Sequence, residues 1–141
     1  MTETQTVDLA AWLTAIWDEE ERLAIKAGGD RWILDGSIVH QDRPHEDVVD
    51  WVYDEADEHI AAHDPASVLA RIAADRKILE LHRKVGFSVF TMRGVPEQRE
   101  RYCEVCQRGD EDELVYPCRT LLLLASPYKG REGWQEEWGD D

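Results

Sequence analysis

Leu9, Trp12, Leu13, Ile16, Leu23 and Ala27 recur at helical spacing, with "DEEER" on the opposite side, so the pattern predicts an amphipathic helix over residues 6–27. Gly28 and Gly29 supply its stop. "RWILDGSIVHQ" reads as two short strands around an Asp35-Gly36 turn, and "DVVDWVY" supplies material for a third. "DEADEHIAA" predicts a short helix that breaks at His63-Asp64. The clearest boundary follows in "HDPASVLARIAADRKILELHRKVG". There Asp64 can accept from the exposed N–H groups of a first turn, and Pro65 fits the first helical position, where its missing N–H has no helical partner. Val68, Leu69, Ile72, Ala73, Leu79 and Val85 mark one expected buried stripe, and Gly86 its end. Alternation in "GFSVFTM" predicts a strand, while Pro96 and the charges after it predict an irregular approach to Cys103. Near the C-terminus, "CRTLLLLASPY" reads as a short helix stopped by Pro127, and "REGWQEEW" sets Trp134 and Trp138 one turn apart.

These elements predict an α+β fold, with amphipathic helices packed on a small antiparallel sheet and short helices at the C-terminal end. A chain of 141 residues suits a single domain over residues 1–141. Its expected parts are an N-terminal helix, small sheet and short helix over 1–63, a core helix and strand over 64–101, and a cysteine loop with C-terminal helices over 102–141.

Charge narrows the function classes. The chain carries 31 acidic and 16 basic side chains, a formal net charge of -15. Residues 1–70 hold 17 acids and 4 bases, whereas residues 71–108 hold 5 acids and 9 bases. So acidic a surface repels phosphate backbones, which argues against direct nucleic-acid binding and against anionic membranes. It leaves open a DNA mimic, or a ligand for a basic patch on a protein partner. The longest apolar run, "LLLLA" from Leu121, is far short of the roughly 20 residues a membrane helix needs. With no basic, then apolar, leader in "MTETQTVDLAAW", a cytoplasmic location with reduced thiols is expected.

All three cysteines lie in "YCEVCQRGDEDELVYPC". Cys103 and Cys106 form a CxxC pair, the spacing that lets one tight loop turn two sulfurs toward one metal, and Cys118 returns after eleven intervening residues. The stretch between them is too polar for core. Tetrahedral structural zinc takes four ligands, so a Cys3His set needs one imidazole. A redox dithiol and three unrelated buried thiols are the competing readings; no thioredoxin-like βαβ pattern surrounds the pair. Tyr116-Pro117 restricts the chain before Cys118, and a helix starting there favours its thiolate.

His82, expected in the last turn of the capped helix, is the preferred fourth ligand, because it would pin the cysteine loop to a core helix. Its alternative role is a C-terminal cap favoured by the helix dipole. His63 and His59, four residues apart on one helical face, are the alternative fourth ligands and otherwise a surface pair or a second metal site.

The chain resembles a family of small actinobacterial and actinophage proteins known only as a domain of unknown function. The resemblance spans most of the length. It rests on the acidic N-terminal helix leading to Trp32, on "HIAAHDPASVLARIAADRKILELH", on "CEVC", and on "YPCRTLLLLASPY" followed by "GWQEEW". The long "RKVGFSVFTMRGVPEQRERY" segment departs from that family's pattern. The resemblance implies an accessory role in phage or host and carries no activity with it.

No glycine-rich phosphate loop, GxSxG elbow or HExxH motif is present. The acidic runs at Asp18 to Glu21 and Asp54 to Glu58 raise one enzymatic alternative, a magnesium-dependent nucleotide pyrophosphatase of the all-helical type. Weighed together, the sequence favours a non-enzymatic protein-interaction module, its partner a protein of unknown identity, with a structural zinc held by Cys103, Cys106, Cys118 and His82.

Overall fold

The computed structural model describes residues 8–36, 38–42, 47–49, 56–90, 93–94, 96–106 and 116–139. Among the described residues, four helices and a three-stranded antiparallel sheet make an α+β fold, with a separate two-stranded hairpin. The chain divides into two compact units, Thr14–Ala74 and Met1–Leu13 with Asp75–Asp141.

Helix α1 (Leu9–Lys26) begins where Asp8 accepts from Ala11 N on its side chain and from Trp12 N on its carbonyl, at 3.4 and 3.0 Å. It ends in a Schellman motif: Gly29 N donates to Ala24 O and Gly28 N to Ile25 O, each at 3.0 Å. Gly28 has φ 106°, a conformation side chains resist. The buried face differs from the expected stripe. Leu9, Trp12, Leu13, Trp17 and Ala24 are buried, whereas Leu23 is 50% exposed and Ala27 is exposed. Successive steps of four from Leu9 through Leu13 to Trp17 carry the stripe round the helix, so that Ala24 replaces Leu23 at the interior.

Within Thr14–Ala74, β1 (Trp32–Asp35) and β2 (Ile38–Gln41) form the expected hairpin, with Asp35 opposite Ile38, and β3 (Asp47–Val49) pairs antiparallel with β2. The rest of "DVVDWVY", 50–53, lies outside the described residues. Helix α2 (Ala56–Ala62) packs on β1 and β2. Asp64 caps helix α3 (Pro65–Leu81) as its sequence demands: Oδ1 accepts from Ser67 N at 2.7 Å. Its second oxygen accepts from Trp32 N at 3.1 Å, so one buried carboxylate ties helix start to sheet. Burial opposes ionisation of Asp64, but the bonds from Ser67 and Trp32 and the charge of Arg31 outweigh it and hold its carboxyl below the usual carboxylate range.

Helix α3 stops at Leu81, four residues before Val85. His82 N still donates to Ile78 O at 3.1 Å, Arg83 N turns to Glu80 O at 3.3 Å, and strand pairing then takes over. Of the expected stripe, Ile72 is buried, Val68, Leu69 and Leu79 are half-buried, and Ala73 is exposed.

In the other unit, β4 (Lys84–Phe90) pairs antiparallel with β5 (Pro96–Cys103), with the register shifting between Val85 and Phe87. β5 corrects the expected irregular approach. Helix α4 (Arg119–Ala125) runs into a 3-10 turn at Ser126–Tyr128, where Pro127 was expected to stop it, and a second 3-10 turn spans Glu136–Gly139. Trp12 closes this unit. Its Nε1 donates to Glu132 O at 2.9 Å, and its ring meets Trp138 and Trp134 at centroid distances of 5.1 and 5.7 Å. Gly133 (φ 85°) allows that approach, since a Cβ there would stand 2.7 Å from Trp12 Nε1.

Candidate metal centre

Three local events bring four ligand atoms together. The turn after α3 presents His82, the end of β5 presents Cys103, and the residue before α4 is Cys118. Lys84 pairs with Cys103, and Glu104 N donates to Arg83 O at 3.0 Å, so the hairpin sets the histidine beside the CxxC turn. Within that turn Cys106 N donates to Cys103 Sγ at 3.4 Å. On the exposed flank Arg83 holds Glu104 through Nε–Oε2 at 2.5 Å and Nη2–Oε1 at 3.1 Å. Cys118, with extended backbone (φ -73°, ψ 164°), receives Leu122 N on its carbonyl at 3.1 Å and stands at the positive end of α4. The Tyr116–Pro117 peptide bond before it is cis.

The sulfurs of Cys103, Cys106 and Cys118 lie 3.3, 3.4 and 3.5 Å from His82 Nδ1. All four ligand atoms lie within 4.8 Å of one another. These four residues are placed to bind a metal ion. Cys103 and Cys118 are buried, His82 is half-buried and Cys106 is exposed, so one member of the cluster lies at the surface.

Electrostatics set two of the thiols apart. Burial would raise Cys103, but donors from the backbone of Cys106 and Val105 and the neighbouring thiols outweigh it and hold this thiol below its ordinary range. Cys106 is pushed up to about 11 by desolvation, by its bond with Cys103 and by the charges of Cys118 and Cys103. Tyr116 is raised to about 12 by burial first, then by the charges of Asp8, Cys118 and Cys103. One thiolate is favoured and the next is opposed. A divalent cation reverses that opposition, because each thiolate then faces a larger charge of opposite sign.

A family model for DUF6221, a family of unknown function, matches residues 6–140. The chain belongs to DUF6221. No curated protein and no solved structure matches it. For this DUF6221 member the site must therefore be read from its own residues.

The other candidates lie elsewhere. His59 and His63 stack on each other with centroids 4.2 Å apart, and His63 Nδ1 donates to His59 O at 2.8 Å. Neither is in the cluster of four. In the acidic runs, Glu19 pairs with Arg22 at 2.7 Å and Glu20 with Arg71 at 2.5 Å, while Asp54 and Glu55 lie outside the described residues. Among the described residues these carboxylates form no group able to share a metal. No described helix is long and apolar enough to cross a membrane. The Arg83–Glu104 clamp and β5 escaped the sequence reading. Gly94 (φ 73°), in the short connection between β4 and β5, was the available signal for a hairpin turn.

Proposed function

We propose that this DUF6221 protein is a non-enzymatic protein-interaction module whose C-terminal region is held by one structural zinc on Cys103, Cys106, Cys118 and His82. The observation that carries the proposal is the convergence of three sulfurs and one imidazole nitrogen at 3.3 to 3.5 Å. Zn–S of about 2.3 Å and Zn–N of about 2.0–2.1 Å at tetrahedral angles place N and S about 3.6 Å apart. The spacing suits a zinc-sized ion at the centre. Three thiolates and an imidazole also match zinc's preference for nitrogen and sulfur donors over the oxygen donors that magnesium and calcium take.

A closed Cys3His set leaves no coordination position for substrate, which favours a structural over a catalytic role. The excess of acidic side chains, 31 against 16 basic, favours a protein partner with a basic surface. The test is elemental analysis of the purified chain with site variants. One zinc per chain is expected, and His82→Ala should weaken its retention by at least about tenfold while the thiolates still bind. Unchanged affinity in that variant would remove His82 from the site. Hydrolysis of nucleoside triphosphates with magnesium, lost on Glu21→Gln, would replace the module by a pyrophosphatase.

A further inference from the structure

The ligands of the metal centre are unequally placed. Cys103 and Cys118 are buried, whereas Cys106 is exposed. An open cleft of about 630 Å³ borders the same turn: Glu104 and Val105, the two residues between Cys103 and Cys106, line it together with Leu81 and Arg83, which flank His82. Small solutes can therefore reach the CxxC turn. Two sulfurs carried by one turn can also pair without moving the rest of the chain. Cys106 N donates to Cys103 Sγ at 3.4 Å, and all the ligand atoms lie within 4.8 Å of one another. The hairpin holds this turn through bonds that need no metal, since Lys84 pairs with Cys103, Glu104 N donates to Arg83 O at 3.0 Å and the Arg83 guanidinium meets the Glu104 carboxylate. Cys118 enters from a separate element, the start of α4.

We propose that Cys103 and Cys106 form an oxidative modification site, at which a peroxide converts the pair to a disulfide and the metal is released. The proposal rests on the reading of the four residues as a zinc site and supplies its regulation. It differs from a catalytic dithiol in that the reduced, metal-bound form is the resting state. Cys106, exposed and deprotonated as a metal ligand, attacks one peroxide oxygen: an S–O bond forms, the O–O bond breaks, and the departing hydroxide takes a proton to become water. Cys103 Sγ then attacks Cys106 Sγ. The S–S bond forms, the S–O bond breaks, and the hydroxide released takes a second proton. Two thiolates thus lose two electrons, which reduce one peroxide to two waters. Cys118 and His82 alone cannot close a tetrahedron, so the ion leaves and the start of α4 loses its coordinate tie to the hairpin.

The test treats the full, zinc-loaded chain, its zinc measured first, with hydrogen peroxide, and follows zinc release with a chromogenic indicator. Arg101 and Arg108 bracket the pair, so trypsin gives one peptide, residues 102–108, with Cys103 and Cys106, and another, residues 109–119, with Cys118. Brief treatment should release the zinc, remove two hydrogens from the first peptide and leave Cys118 open to alkylation. A phosphine reductant with added zinc should restore both the thiols and the metal. A cross-link between the two peptides, or oxidation of Cys118 with Cys106 intact, would overturn the assignment of the pair. Sulfinic acid at Cys106 in place of the disulfide would deny Cys103 its part and overturn it too. So would a loaded chain that keeps its zinc and all three thiols under peroxide sufficient to oxidise glutathione in the same solution, a result that leaves the metal assignment intact. A chain that never takes up zinc would instead fail the metal reading, and this proposal with it.

Discussion

The two units of the chain differ in what accompanies their apolar interiors. In Thr14–Ala74 the elements are tied by an apolar interior and by local capping: buried Trp17, Val39 and Ile72, the Schellman end of α1, and Asp64 joining α3 to β1. In the unit of Asp75–Asp141 with Met1–Leu13, Leu9, Trp12, Leu13, Leu121, Tyr128 and Trp138 are buried too, but the chain near the cysteines is largely charged or polar, and there four ligand atoms converge. Ordering backbone costs roughly 1–2 kcal/mol per residue, which few apolar anchors can offset. A metal can. The contrast teaches that a small chain can divide its stability between burial and coordination, and that each should fail under a different insult.

The largest expected effect is on the coordinating side. Cys118→Ser removes a ligand whose neighbours are already crowded, so metal content should fall from one per chain toward none, checked by elemental analysis, and the tryptophan cluster should loosen, checked by near-ultraviolet circular dichroism. Helical signal from α1 and α3 should persist. Global unfolding of this variant would erase the distinction between the units.

On the burial side, Ile72→Ala should cost about 2–5 kcal/mol in denaturant unfolding while leaving metal content unchanged. Loss of zinc in that variant would show that the two kinds of support are not separate. Gly133→Ala meets both a positive φ of 85° and the Trp12 ring. It should cost about 1–3 kcal/mol, and the shift of Trp12 should appear in its fluorescence before any change in zinc retention.

The smallest effect is at Asp64. Asp64→Ala should destabilise by about 1 kcal/mol through the lost cap. Because the carboxyl is held below its ordinary range, its contribution is present above the unfolded-state value and is lost as pH falls through the folded-state value. A pH series of unfolding midpoints should therefore show the wild-type advantage over Asp64→Ala shrinking below about pH 4. An advantage constant with pH would remove the charge from the argument.

The two units also differed in what their sequence revealed. Residue type alone located the α1 stop at Gly28-Gly29, the hairpin around Asp35-Gly36 and the Asp64-Pro65 start of α3, because caps and turns depend on a few neighbouring residues. The grouping of His82 with the three cysteines was legible too, since metal chemistry restricts which side chains would be brought together. The β5 strand was not. "PEQRERY" has polar or charged residues at most positions, so it shows no alternation, and its pairing with β4 is a tertiary choice. The buried stripe of α1 was shifted for a similar reason: helical spacing allows Leu23 or Ala24 inward, and packing chose alanine. The Arg83–Glu104 clamp needed the register of the hairpin, which no local pattern states.

The central claim is that a single zinc orders the cysteine-bearing region and leaves the Thr14–Ala74 interior to its own burial. Hydrogen exchange, followed residue by residue with and without a strong chelator and beside far-ultraviolet circular dichroism, tests it most directly. The account predicts that removing zinc deprotects β4, the segment around Cys103 and Cys106, and α4, and exposes Trp134 and Trp138, while amides of α3 around Ile72 keep their protection and most helical signal remains. Uniform loss of protection across both units would contradict the division of labour, and no change anywhere would contradict the metal.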